Sequence, residues 1–109
     1  MTSEGVGPAR IHPDLAQHTG AMVENVYTLK GYIHTAFAYA PSNCTLIEGE
    51  DGLILVDSLS TVENAERAHE AFRKITNKPI KAVIFTHCHA DHVSGVEVFV
   101  SEEDVAGGV

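Results

Sequence analysis

The 109 residues are 44% hydrophobic, which suits one domain with a modest core, and fifteen Asp and Glu against seven Lys and Arg give a net charge of −8. That excess of negative charge would repel a phosphate backbone, so nucleic acid is excluded as an expected partner. No stretch approaches the roughly 18 apolar residues that cross a bilayer, and Met1-Thr2-Ser3-Glu4-Gly5 lacks the basic flank of a signal peptide, so a cytoplasmic location and no membrane span are expected. The two cysteines, Cys44 and Cys88, are too few for a disulfide scaffold.

Residues 1–20, with Gly5, Gly7, Pro8 and Pro13, show no sustained period and read as an irregular lead-in. Asn25 to Gly31 alternates well enough for a strand, with Val26 and Tyr27 favouring extended structure. Cys44 to Glu48 and Leu53 to Asp57 are short apolar runs separated by Gly49-Glu50-Asp51-Gly52, which predicts a β-hairpin. Asn43-Cys44-Thr45 matches a glycosylation acceptor, but without a secretory leader the match reads as accidental.

Ser60 followed by Glu63 predicts a capping box, and Val62, Ala65, Ala68, Phe72 and Ile75 then recur at helical steps opposite Glu63, Glu66, Arg67, Glu70 and Lys74. Asn77 and Pro79 should end that helix. Ile80 to Phe85, apolar but for Lys81, reads as a strand buried on both faces. Val93 to Phe99 opens a second helix interrupted by Gly95, and Ser101 to Asp104 caps a short third one. The order β, ββ, α, β, α implies an α/β fold: a mixed sheet with covering helices and a loop at the carboxyl end of a central strand.

The chemistry sits in that loop, Thr86-His87-Cys88-His89-Ala90-Asp91-His92. Three imidazoles and a carboxylate crowded after a buried strand have no packing use, and they are donors that Zn²⁺ takes at about 2.0–2.2 Å. In an extended loop alternate residues face the same way, so His87 and His89 can share one metal while Cys88 turns away as a small buried spacer. A following turn can aim Asp91 and His92 at a second position. Two ions about 3.5–4 Å apart can activate one water and clamp developing negative charge. Asp57, at the end of its strand, is either a turn residue leading into Ser58 and Ser60 or the carboxylate that orients a ligating histidine. His12, His18, His34 and His69 read as surface or hydrogen-bonded histidines, and Glu97, Glu102 and Glu103 as a solvated face.

The run Thr86, His-x-His-x-Asp-His, Ser94-Gly95 resembles the metal motif of the metallo-β-lactamase superfamily. Asn43 to Gly49, Leu55-Val56-Asp57, Thr76 to Val83, Ser101 to Val105 and the lead-in Ile11 to Leu15 are similar to its alkylsulfatase branch. The resemblance implies that residues 21–109 form the amino-terminal half of an αββα sandwich whose open sheet face is apolar. It implies two zinc ions per complete active site, His87 and His89 holding one, Asp91 and His92 the other, with Asp91 also catalytic and Asp57 supporting the ligands. It further implies hydrolysis of a small anionic substrate, an alkyl sulfate, to alcohol and sulfate by zinc-activated water. The complete enzyme is expected to be a homodimer with further ligands beyond this sequence. Another hydrolase of the superfamily, acting on a thioester or lactone, and a metal-binding chain without turnover are the alternatives.

Overall fold

The computed structural model describes residues 23–109; the lead-in, with His12 and His18, lies outside the described residues. Strands β1 (Asn25–Leu29), β2 (Ile33–Phe37), β3 (Cys44–Glu48), β4 (Leu53–Val56) and β5 (Ile80–Ile84) form one sheet in sequential order. The first three pairings are antiparallel and β4 with β5 is parallel, so the sheet is mixed as expected.

Local chemistry fixes each corner. Lys30 and Gly31 both take positive φ (54° and 80°), and the Tyr32 N–H donates to the Leu29 carbonyl at 3.2 Å, a two-residue turn whose twist suits a hairpin. Sequence reasoning placed β1 but missed β2, whose alternating Ile33, Thr35 and Phe37 were the available signal. Gly49 to Gly52 closes the expected β3–β4 hairpin, with the Gly49 N–H donating to the Gly52 carbonyl at 2.8 Å.

Helix α1 (Val62–Arg73) crosses from β4 to β5. Its capping box falls one residue later than expected, between Thr61 and Asn64, while the Ser60 hydroxyl accepts from the Asn64 amide. Ala65, Ala68 and Phe72 face the sheet, but Val62 and Ile75 of the expected stripe are exposed, because α1 stops at Arg73 and Ile75 lies past its end. Against them pack Ala36, Cys44, Leu46, Leu53 and Leu55 from one sheet face, with Leu59 and Phe99. Burial of such side chains contributes about 1.5–3 kcal/mol each.

Among the described residues nothing covers the opposite sheet face. Tyr27 packs edge-on against Phe37 there, their ring centres 5.8 Å apart, yet Tyr27, Leu29 and Ile84 stay exposed. The expectation for β5 is corrected here: Ile80 is buried, but Ile84 is 51% exposed, since among the described residues nothing packs on its face, and Phe85, past the end of the strand, is 43% exposed.

Beyond β5, Ser94-Gly95 divides the expected second helix into α2 (Ala90–Val93) and α3 (Val96–Phe99), and α4 (Glu102–Ala106) follows with Ser101 and Asp104 forming its capping box. Gly95 is required by proximity: a Cβ there would lie 2.2 Å from the Ser58 carbonyl oxygen and 2.6 Å from the Ala65 Cβ. None of the helices among the described residues is long and apolar enough to cross a membrane.

Candidate metal centre

The ends of the parallel neighbours β4 and β5 open side by side, and the loops leaving them build the site. The Asp57 N–H donates to the Ile84 carbonyl at 2.9 Å, which carries the pairing one residue past β4. Asp57 then takes φ 63°, a left-handed conformation that Asp tolerates better than most side chains. That turn points its carboxylate across to the next loop.

The carboxylate is 4% exposed by residue and fully engaged. Oδ1 accepts from the Thr86 N–H at 2.8 Å, while Oδ2 accepts from the Thr86 hydroxyl at 2.8 Å and from His92 Nδ1 at 2.7 Å. Burial pushes its carboxyl upward, but the bonds from His92 and Thr86 outweigh that and hold it below the ordinary range. Asp57 is therefore ionised, and it fixes the ring of His92.

The rest of the loop is pinned through its backbone. The His92 carbonyl accepts from the Ser58 N–H at 2.7 Å and from the Ser58 hydroxyl at 3.2 Å, and the Asp91 carbonyl accepts from the Ser42 hydroxyl. Cys44 donates its thiol to the Asp57 carbonyl at 3.2 Å, and burial, with Asp57 nearby, pushes that thiol's pKa well up, so it stays protonated. Sequence reasoning did not find Ser42, Ser58 or Thr86 as supports. Their partners are mostly backbone carbonyls and a carboxylate 29 to 49 residues away, which leave no local pattern.

Within this frame one donor atom each from His87, Asp91 and His92 lie within 4.8 Å of one another. His92 Nε2 is 3.5 Å from Asp91 Oδ2, and the His87 ring centre lies 3.9 Å from that of His92. His89 stands outside this trio as the residue capping α2, its ring edge-on to His87 at 4.7 Å. A zinc ion about 2.1 Å from each donor needs them no more than about 4.2 Å apart, so the trio is within small side-chain rotations of a binding geometry. Two imidazoles and a carboxylate, one imidazole already held by its second nitrogen, fit zinc in donor type.

Cys88 is exposed, not the buried spacer expected, because among the described residues no element packs over the loop from Thr86 to His89. His69 packs edge-on to Phe99 at 5.2 Å, and burial, helped by Arg73, lowers its imidazole pKa. His34 is 2% exposed, with both ring nitrogens bonded. Glu97, Glu102 and Glu103 are exposed.

Comparison with known proteins points one way. A family model described as the metallo-beta-lactamase superfamily matches residues 39–109. A linear primary-alkylsulfatase of Pseudomonas sp. (strain ATCC 19151) is 49% identical over 63 residues, which are 58% of this chain and 12% of that protein. An alkyl/aryl-sulfatase of Saccharomyces cerevisiae is 39% identical over 88 residues, 80% of this chain and 12% of that protein. The chain thus spans about an eighth of the length of these relatives. Among solved structures, the stereoselective inverting sec-alkylsulfatase of Pseudomonas sp. matches with TM-score 0.72 at 32% identity, covering 78% of this chain and 14% of that one. A metallo-beta-lactamase of Pseudomonas aeruginosa in its mono-zinc form matches with TM-score 0.55 at 25% identity, covering 69% and 37%.

Proposed function

This chain belongs to the metallo-β-lactamase superfamily, and from that membership we propose that it carries the metal-motif portion of a zinc-dependent alkylsulfatase, which hydrolyses an alkyl sulfate to alcohol and sulfate. The observation that carries the reading is the gathering of His87, Asp91 and His92 donors at the ends of β4 and β5. The sulfatase names of relatives matched over most of the chain support the substrate class.

The proposed ligands are His87 and His89 for one zinc and Asp91 and His92 for a second, with homodimerisation a property of the longer protein. Zinc bound there supplies Lewis acidity that lowers the pKa of water and offsets charge on the ester oxygens. Asp57 holds His92 so that only Nε2 faces the cluster. Asp91, partly exposed beside that nitrogen, is the carboxylate placed to orient the attacking water and take its proton. The backbone clamps from Ser42 and Ser58 keep Asp91 and His92 in register with Asp57.

A second reading is favoured by the tightness of the trio: one zinc held by His87, Asp91 and His92, with His89 free. The likeness to β-lactamases supports a further variant, a superfamily hydrolase of thioesters or lactones on the same metal frame. Metal content and sulfate release separate these. The longer protein, loaded with zinc and freed of loose metal, is expected to hold two zinc ions per site and to release sulfate from a medium-chain alkyl sulfate. One zinc favours the trio, zinc without sulfate release favours another substrate or a chain without turnover, and no zinc overturns the metal reading.

A further inference from the structure

Thr86 is joined to three groups at once. Its hydroxyl oxygen lies 2.8 Å from Asp57 Oδ2, 3.0 Å from His87 Nδ1 and 3.5 Å from His92 Nδ1. A hydroxyl has one proton to give and lone pairs to receive with. Given to the ionised Asp57, that proton makes the stronger, charge-assisted bond and avoids facing two sets of lone pairs at 2.8 Å. The oxygen can then only accept from His87, so His87 Nδ1 must carry a hydrogen and Nε2 must be bare.

We propose that Thr86 is a positioning residue that passes the charge of Asp57 on to His87, so that one carboxylate sets the ring tautomer of two metal-binding histidines. Asp57 acts on His92 directly at 2.7 Å and on His87 through the Thr86 hydroxyl. Both rings then present Nε2 as the free donor, and their close contact, 3.9 Å between centres, keeps them turned together. Thr86 thereby does more than lead out of β5. It makes a single buried anion serve two ligands, one of which it does not touch. This deepens the zinc reading and rests on it for its purpose, but the tautomers exist before metal binds.

The test is therefore made on metal-free protein. Nitrogen-15 NMR of the histidine rings near pH 8, where free imidazole is neutral, reports which nitrogen carries the hydrogen. His87 and His92 are both expected as Nδ1–H. In Thr86→Val, His87 should lose that fixed tautomer while His92 keeps it, and Thr86→Ser should restore it. Zinc affinity should fall roughly 10–100-fold in Thr86→Val and stay close to the parent in Thr86→Ser. His87 found as Nε2–H in the parent protein overturns the proposal without any variant, and so does an unchanged His87 in Thr86→Val. A fixed His87 tautomer that depends on Thr86, in a protein that binds no zinc, upholds the relay and defeats the zinc reading instead.

Discussion

Among the described residues two histidine–carboxylate pairs share a 2.7 Å separation, His34 with Glu48 and His92 with Asp57, and they differ in what each histidine has left free. His34 is wedged between β1 and β3: Nε2 donates to Glu48 Oε2, and Nδ1 accepts from the Thr28 hydroxyl at 2.8 Å. Both nitrogens are spent, and the pair acts as a tie across three strands, backed by Lys78 at 3.7 Å from Glu48. His92 has only Nδ1 engaged by its carboxylate; Nε2 looks toward Asp91 on a side chain 18% exposed. A carboxylate partner by itself does not fit a histidine for metal; a nitrogen left unspent is needed as well.

Substitutions that treat the two pairs alike should give different readouts. The largest effect is expected for Asp57→Ala, which orphans the Thr86 N–H and the His92 ring and leaves Ala in a left-handed conformation. A loss of about 3 kcal/mol in urea unfolding is expected, together with a zinc affinity lower by roughly 10–100-fold. Gly95→Ala presses a Cβ into the Ser58 carbonyl and should cost about 2 kcal/mol, loosening the clamp on His92 without touching His34. Zinc binding should weaken in it too. His34→Leu should cost about 1.5 kcal/mol and leave zinc content unchanged; a drop in bound zinc would break the division between the two pairs.

The smallest effect comes from Glu48→Gln and depends on pH. The hydrogen bond from His34 holds the Glu48 carboxyl below the ordinary range against the opposing effect of burial, with the charge of Lys78 adding to it. A carboxylate whose folded pKa is depressed contributes stability above its unfolded value, about 4.3, and loses it as pH falls through the lower folded value. Glu48→Gln should thus destabilise by less than about 1 kcal/mol at pH 7, the pair being partly solvated, and by less still at pH 3, where the carboxylate is closer to protonation. Urea midpoints at the two pH values measure the difference.

The sequence announced the His92 pair and concealed the other, for a physical reason. Three histidines within six positions after an apolar strand depart visibly from any packing pattern, and the alternation of the hairpin strands placed Asp57 at a strand end. His34 sits alone in β2, whose mixture of Thr, Ala and His beside Ile and Phe lacks the apolar run that marked β4. Its role depends on Thr28 and Glu48 being brought alongside by register, Thr28 opposite His34 and His34 opposite Leu46. The trio of His87, Asp91 and His92 was legible as residues but not as a grouping, because alternation along an extended loop pairs His87 with His89. The bend at Thr86 and His87 and the short helix α2 instead bring His87 over His92. The capping box of α1 was misplaced by one residue because Ser60 and Thr61 are both competent caps, and only the approach of Asn64 decides between them.

The corner at Asp57 sets two demands on one side chain. The backbone, at φ 63°, accepts Gly, Asn or Asp with least strain, while the three donors of Thr86 and His92 ask for an anion on a short stem. Asn meets the first demand and fails the second; Glu carries the charge but is a poor occupant of that backbone region and reaches too far. Of the twenty coded residues Asp alone answers both, so a saturation library selected for folded, zinc-retaining protein should return the parental codon's amino acid at this position and nothing else.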